Sequence, residues 1–323
     1  DRRVCGGACS GWGVYAYAGK VILRNIIWLT RLLNCISNQS GIIMFNTLDH
    51  LIIAVEDLDK AEENYSKVFG LSPVWKGEHS EFGTSNSLFN FQNTYFELLS
   101  ATGEGAGAEL VNGHLEKSGE GLIGVVFGTD NISGVSTFLR EKGFSTPDPS
   151  DGEGSNFKDK KIRKWKNLFL PPELTRGLFS FVIQHTEGEL PTAKSYDPSS
   201  IRKLDHLVIQ TNDADGLIKI YRDVFNIRLA LDKIVERWKI RILFFRLNKT
   251  TLEIVEKPDD QESKDKLWGL TWDVENIEQA HQRLLSEGVE VTPIKKGIKE
   301  NTLVASVKSH THNVPTLLIE HLK

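Results

Sequence analysis

Leu48-Asp49-His50-Leu51 returns as Leu204-Asp205-His206-Leu207, 156 residues further on. The same spacing carries Asp57 onto Asp213, Tyr65 onto Tyr221, Val68 onto Val224, Phe69 onto Phe225, Thr94 onto Thr250 and Glu97 onto Glu253. No insertion or deletion is needed between His50 and Glu97, so the chain builds one supersecondary unit twice. A second repeat interleaves with the first: Leu122, Gly124, Asn131, Ile132, Leu139 and Gly143 recur 145 residues later as Leu267, Gly269, Asn276, Ile277, Leu284 and Gly288. The chain therefore reads as four units in the order A, B, A′, B′.

Each unit has the same local grammar. In A, Leu48–Val55 is an apolar run of strand length, Asp57 offers a helix N-cap, and Leu58, Ala61, Tyr65, Val68 and Phe69 fall at helical spacing before Gly70. Strand-like runs follow at 72–75, 87–91 and 94–99, with Gln92-Asn93 as a turn signal. The order is βαβββ. Unit A′ repeats it behind Asp213, and B′ behind Asn276. Unit B adds a polar stretch, Thr146–Lys161, which reads as a surface loop or hairpin without chemistry of its own.

The first 43 residues stand apart. They hold all three cysteines (Cys5, Cys9, Cys35) and five basic residues against one acid, and the single methionine is Met44. Lys20, Arg24 and Arg31 interrupt their apolar stretch, which argues against a membrane span or a secretory core. Residues 1–43 are expected to be an upstream or non-native extension. Residues 44–194 then form an N-terminal domain (A and B), 195–202 a linker, and 203–323 a C-terminal domain (A′ and B′). The part from Met44 onward has no cysteine, hence neither a disulfide framework nor a thiolate metal site, and a cytoplasmic location is expected. The net charge of −4 makes nucleic acid a poor partner. The expected partner is a small molecule, with no membrane and a monomeric or homodimeric state.

The four βαβββ units, the opening Leu-Asp-His-Leu, the helical Tyr and the Glu of the closing strand resemble the vicinal oxygen chelate superfamily, which includes glyoxalase I, extradiol dioxygenases and bleomycin-resistance proteins. The glyoxalase-like branch is the nearest in pattern, with a B unit closed by a strand such as Phe179–His185. The resemblance implies an α+β fold: four βαβββ units forming two paired, open, cup-like β-sheets with helices outside. It also implies a divalent metal on the concave floor, with His50 and Glu97 in A and His206 and Glu253 in A′ at the ligand positions. Zn, Ni, Co, Mn or Fe would suit two imidazoles and two carboxylates.

Strand alternation agrees with that placement. Leu48, His50, Ile52 and Ala54 share one face, and Leu51, Ile53 and Val55 share the fully apolar face that a helix must cover. The equivalent positions in B and B′ are Gly124 with Phe181 and Gly269 with Leu317, which cannot ligate. Pairing A with B and A′ with B′ leaves one His and one Glu per cup, whereas pairing A with A′ would complete a four-donor site. Both pairings stay open.

Other features read as structural. His310 and His312 belong to a polar turn before Val314-Pro315, and Arg237, Arg241 and Arg246 to a solvated strand face or a carboxylate anchor. Trp75, Tyr95 and Trp238 are core or pocket lining, and the basic run Lys158–Lys166 is surface. The glycines between 103 and 107 lack the following Lys-Ser/Thr of a phosphate loop.

The function that the resemblance implies is a glyoxalase-like, metal-dependent lyase or isomerase acting through an enediolate-type intermediate. In it His50 and His206 anchor the metal, and Glu97 or Glu253 serves as ligand and catalytic base. The alternative is a metal-free small-molecule binding or resistance protein using the same cup. An extradiol dioxygenase is disfavoured, since it would need ligands where Gly269 and Leu317 stand.

Overall fold

The opening strand of unit A, β1 (Thr47–Ala54), lies between the two strands that define how the units pair. It runs parallel to β4 (Tyr95–Ala101) of its own unit and antiparallel to β5 (Gly121–Gly128) of unit B. A therefore pairs with B. In the second half β9 (Ile201–Thr211) sits in the same way between β12 (Thr250–Glu256) and β13 (Lys266–Val274). The structure, a computed structural model, describes residues 44–192, 197–257 and 265–322. The expected extension 1–43, with its cysteines, and residues 195 and 196 of the expected linker lie outside the described residues. β9 already begins at Ile201.

The helices form where the sequence pattern places them. Asp57 caps α1 (Leu58–Phe69) by accepting from the Lys60 N–H, and Gly70 ends it at φ +67°, a left-handed conformation that suits glycine. Ala61, Tyr65, Val68 and Phe69 are its buried face. One element departs from the expectation: residues 106–118, of which the sequence reading covered only the glycines up to 107, form α2 (Ala106–Ser118). The polar stretch of unit B, expected as a surface loop or hairpin, is a hairpin in which β6 (Ser150–Asn156) pairs with β7 (Ile162–Phe169). The remaining helices are α3 (Ile132–Glu141), α4 (Pro172–Thr175), α5 (Ala214–Ile218, extended by a π-helical turn to Val224) and α6 (Ile277–Ser286).

β6 changes the architecture. It pairs with β2 (Trp75–His79) at Gly77↔Asn156 and Glu78↔Ser155, so the first sheet closes in the order β1-β4-β3-β2-β6-β7-β8-β5, with β3 Thr84–Asn90 and β8 Phe179–Glu187. Gly77 permits the closure, because a Cβ there would lie 2.2 Å from the Ser155 carbonyl oxygen. The second half has no equivalent seam. With β11 at Ile240–Leu247, β15 at Thr302–Val307 and β16 at Thr316–His321, its order is β10-β11-β12-β9-β13-β16-β15-β14 and it stays open. The strands β10 (Arg228–Val235) and β14 (Lys295–Lys296) are its two edges, and β14 is only two residues long.

One break in the strand alternation occurs at the same place in both halves. The register of β1 against β5 shifts between Leu48 and His50, leaving Asp49 as the bulged residue. The register of β9 against β13 shifts in the same place, at Asp205. The bulge changes the phase of the strand, which corrects the sequence reading for one residue. Leu48 packs with Leu51 and Ile53 in the helix-covered core, while Ile52 and Ala54 belong to a smaller cluster inside the first sheet.

The main core is continuous across both halves. Phe69 and Phe91 pack on Trp272. Tyr65 donates its hydroxyl proton to the Thr311 carbonyl at 2.8 Å, and the Asn93 amide bridges to the Leu204 and Lys249 carbonyls. His310 and His312 lie in a turn with positive φ, as the sequence suggests. His312 is nevertheless a packed residue, bonded to Glu120 at 2.7 Å and stacked on Tyr65. Among the described residues, no helix is long and apolar enough to cross a membrane.

Candidate functional site

The interior of the first, closed sheet is hollow. A cavity of about 290 Å³ opens there, lined by inward residues of β1 to β4 and β6 to β8 and by Ala106, Gly107 and Leu110 of α2. Its wall is mostly apolar, with Trp75, Leu88, Leu99, Phe169, Phe179 and Phe181 among the lining side chains. Four ionisable groups interrupt it: His50, His79, Glu97 and Arg163.

His50 and Glu97 face each other across neighbouring strands. His50 Nε2 lies 3.5 Å from Glu97 Oε2, and the two residues are 2 % and 6 % exposed. Behind His50, its Nδ1 is 2.7 Å from Asp49 Oδ1. The other Asp49 oxygen lies 3.1 Å from His185 Nε2 on β8, so the bulge delivers the carboxylate to two imidazoles. Burial pushes the Asp49 carboxyl up, but hydrogen bonds from His185 and His50, with their charges, outweigh it and hold the group well below the usual carboxylate range. An ionised Asp49 fixes the proton of His50 on Nδ1 and leaves Nε2 facing Glu97. Tyr95 stacks on the imidazole, with ring centres 4.4 Å apart.

Glu97 is tied from its other side. Asn86 Nδ2 donates to Glu97 Oε1 at 2.7 Å and contacts His79 Nε2 at 3.3 Å, while His79 Nδ1 is 3.1 Å from Thr84 Oγ1. Burial pushes His79 down; Glu97 opposes this, and the charges of Arg163 and His50 add to it. His79 is accordingly a neutral spacer whose Nε2 accepts from Asn86.

The second half repeats the arrangement in a more open setting. His206 Nε2 is 3.1 Å from Glu253 Oε2, His206 Nδ1 is 2.8 Å from Asp205 Oδ1, and Asp205 Oδ2 is 2.7 Å from His321 Nε2. Burial pushes Asp205 up, and the two imidazoles more than reverse it. Burial also pushes Glu253 up, against the opposing charge of His206.

The four residues at the implied ligand positions thus form two pairs, one in each sheet, instead of one group of four. Each pair offers one imidazole and one carboxylate, and the corresponding positions of B and B′ are Gly124 with Phe181 and Gly269 with Leu317. A catalytic transition-metal site ordinarily has three protein ligands. The donor sets fall short of that number, and Glu97 Oε1 is already engaged by Asn86. Asp205, Asp273 and His321 do bring one donor atom each within 4.8 Å of one another. Their charge is answered by protein, however: Arg202 donates to Asp273 Oδ1 from Nη2 at 2.6 Å and from Nε at 3.1 Å.

Other candidates find their places. Arg241 is held by Asp232 and Asp215 at 2.8 Å each, and Arg246 by Thr251, so neither is a spare anchor. Trp238 is 45 % exposed, whereas Trp75 and Tyr95 line the cavity. The run Lys158–Lys166 is not uniformly surface, because Arg163 within it is 6 % exposed and points inward. Alternation along β7 was the available signal: Arg163, Trp165, Asn167 and Phe169 share the inner face. Asp49 and His185 were likewise missed, for want of any local sign that the strand is bulged.

Residues 48–225 match the family described as glyoxalase-like domain. Residues 203–305 match the glyoxalase/bleomycin resistance protein/dioxygenase superfamily. The chain belongs to the glyoxalase-like family of this superfamily. No curated protein matches the sequence significantly. Among solved structures, a mutant of 4-hydroxymandelate synthase from Streptomyces coelicolor is similar at TM-score 0.63 and 12 % identity, covering 86 % of this chain and 94 % of that one. A hypothetical protein from Staphylococcus aureus reaches 0.59 at 14 % identity, over 84 % and 98 %. The Mn(II)-bound glyoxalase from Novosphingobium aromaticivorans reaches 0.58 at 15 % identity, over 86 % and 83 %. At these identities the likeness shows the fold.

Proposed function

We propose that the closed N-terminal sheet carries the reactive site of a lyase or isomerase that moves a proton between neighbouring carbons of a small oxygenated metabolite. The observation that carries this reading is the line Asp49–His50–Glu97, buried at the wall of an apolar cavity. Glu97 takes the proton from the carbon beside a carbonyl or hydroxyl. His50 Nε2, left as an acceptor because Asp49 holds the Nδ1 proton, takes the proton of the neighbouring hydroxyl and passes it to the carbonyl oxygen as the enediolate-type intermediate forms and collapses. Glu97 then returns the proton to the adjacent carbon. Positioned acid–base groups of this kind contribute roughly 10²–10⁴-fold, and the dry wall strengthens every charge interaction at the site. One imidazole and one carboxylate are too few protein donors for a resident transition metal, so the chemistry is assigned to protein side chains alone. His206 and Glu253 are the duplicated pair of the open sheet. The partner in this reading is a small molecule, and the cysteine-free body suits a reducing cytoplasm.

The test is solvent deuterium uptake, followed by proton NMR in D₂O, across a panel of 2-hydroxy aldehydes, 2-hydroxy ketones, 2-oxo acids and 2-hydroxy acids. The protein is expected to exchange the proton beside the carbonyl of at least one compound, and Glu97→Gln to slow this by about 10²-fold or more. Equal exchange by Glu97→Gln, or none above buffer for any compound, overturns the reading. Binding without exchange would instead support a metal-free binding or resistance protein, which the apolar lining also suits.

A further inference from the structure

Arg163 is the one cation in the wall of the cavity that has no carboxylate beside it among the described residues. Its neighbours on β7 differ. Lys164 pairs with Glu187 at 3.1 Å and Lys166 with Asp151 at 2.7 Å, both on the outer face. Arg163 alternates inward, is 6 % exposed, and its guanidinium carbon lies 5.7 Å from the Trp75 ring centre and 5.6 Å from that of Tyr95. It also interacts with the neutral Tyr95 hydroxyl, while its Nε has no hydrogen-bond partner. The other ionisable groups at the wall are already committed: Glu97 to His50 and Asn86, His79 to Asn86 and Thr84. A buried guanidinium without a counter-ion is costly to a fold, and its planar fork matches a carboxylate. Asn86 and Asn167 line the same cavity, their Oδ1 atoms buried and without hydrogen-bond partners.

We propose that Arg163 anchors the carboxylate of the ligand, which makes the ligand class a small carboxylic acid with an apolar body. The aromatic faces of Trp75 and Tyr95 hold the planar guanidinium and direct its fork. This rests on the cavity being the ligand site and is independent of proton transfer at Glu97.

The experiment uses matched probes of one ring system, 2-naphthoate, 2-naphthamide and 2-naphthyl phosphate, titrated against the full chain with tryptophan fluorescence as readout. 2-Naphthoate should bind at least about tenfold tighter than the amide, and tighter than the phosphate. Arg163→Met should bind the acid and amide alike, and Arg163→Lys should recover only part of the preference. Without ligand, Arg163→Met should melt no lower than the parent, because it replaces an unpaired charge by an apolar chain. Lys164→Met, on the outer face of the same strand, should keep the acid preference, and because binding is read without turnover, loss of the reaction leaves this test standing. Equal affinity for acid and amide in the parent, retention of the preference in Arg163→Met, or a preference for the phosphate would overturn it.

Discussion

Replacing Asp49 by Asn tests the bulge, the imidazole pair and the reaction together. The Asp49 side chain is 14 % exposed and serves His50 at 2.7 Å and His185 at 3.1 Å. A hydrogen bond to a charged group contributes roughly 1.5–3 kcal/mol and a neutral one roughly 0.5–1.5. Asn has one oxygen, so it keeps a single neutral acceptor and turns an NH₂ group toward the other imidazole. The expected loss is about 2–4 kcal/mol at pH 7. The repeat supplies the control. Asp205 makes the same two contacts at 2.8 and 2.7 Å, but its side chain is 24 % exposed and water competes for it. Asp205→Asn should therefore cost less, about 1–2 kcal/mol. Urea unfolding of both variants, with midpoint and slope fitted separately, measures the difference. Asp49→Asn should also slow deuterium exchange by about 10²-fold, because the Nδ1 proton of His50 loses its fixed acceptor. A cost below about 0.5 kcal/mol, or the reverse order of the two variants, would refute the reasoning.

Three further outcomes are expected. His79 has a folded pKa below its usual value, so the unfolded chain takes up a proton first as pH falls below about 6.5. Stability should fall across that window by at most about 1.4 kcal/mol per pH unit, and the difference between the parent and His79→Gln should shrink with it; a difference independent of pH between 8 and 5.5 would contradict this. Gly77→Ala should destabilise by about 1–3 kcal/mol through its clash at the barrel seam, while Gly113→Ala, where a Cβ meets nothing within 4 Å, should stabilise helix α2 by about 0.5–1 kcal/mol in the same thermal melt. Mass spectrometry of the purified protein should find divalent metal below one equivalent and unchanged in His50→Ala plus His206→Ala; stoichiometric metal lost in that double variant would restore a metal centre.

The repeat at a fixed spacing was enough to imply two equivalent sheets, and the caps Asp57, Asp213 and Asn276 stand where the sequence signals put them. His50 and Glu97 were legible as lining residues because strand periodicity is local and needs no partner. Leu48 was misplaced by the same rule, since a bulge becomes visible only when the facing strand is counted. Arg163 was hidden in a basic run whose members differ only in what lies across from them.

Sequence alone therefore determined the repeated units, their capped helices and the duplicated imidazole-plus-acid signature, but not helix α2. Tertiary structure decided that A joins B, that β6 closes one sheet while β14 is too short to close the other, and that His185 reaches Asp49. The reason is physical: side-chain direction along a strand follows from the backbone's own period, whereas closure, counter-ions and the emptiness of a cavity depend on which distant strands come to lie side by side.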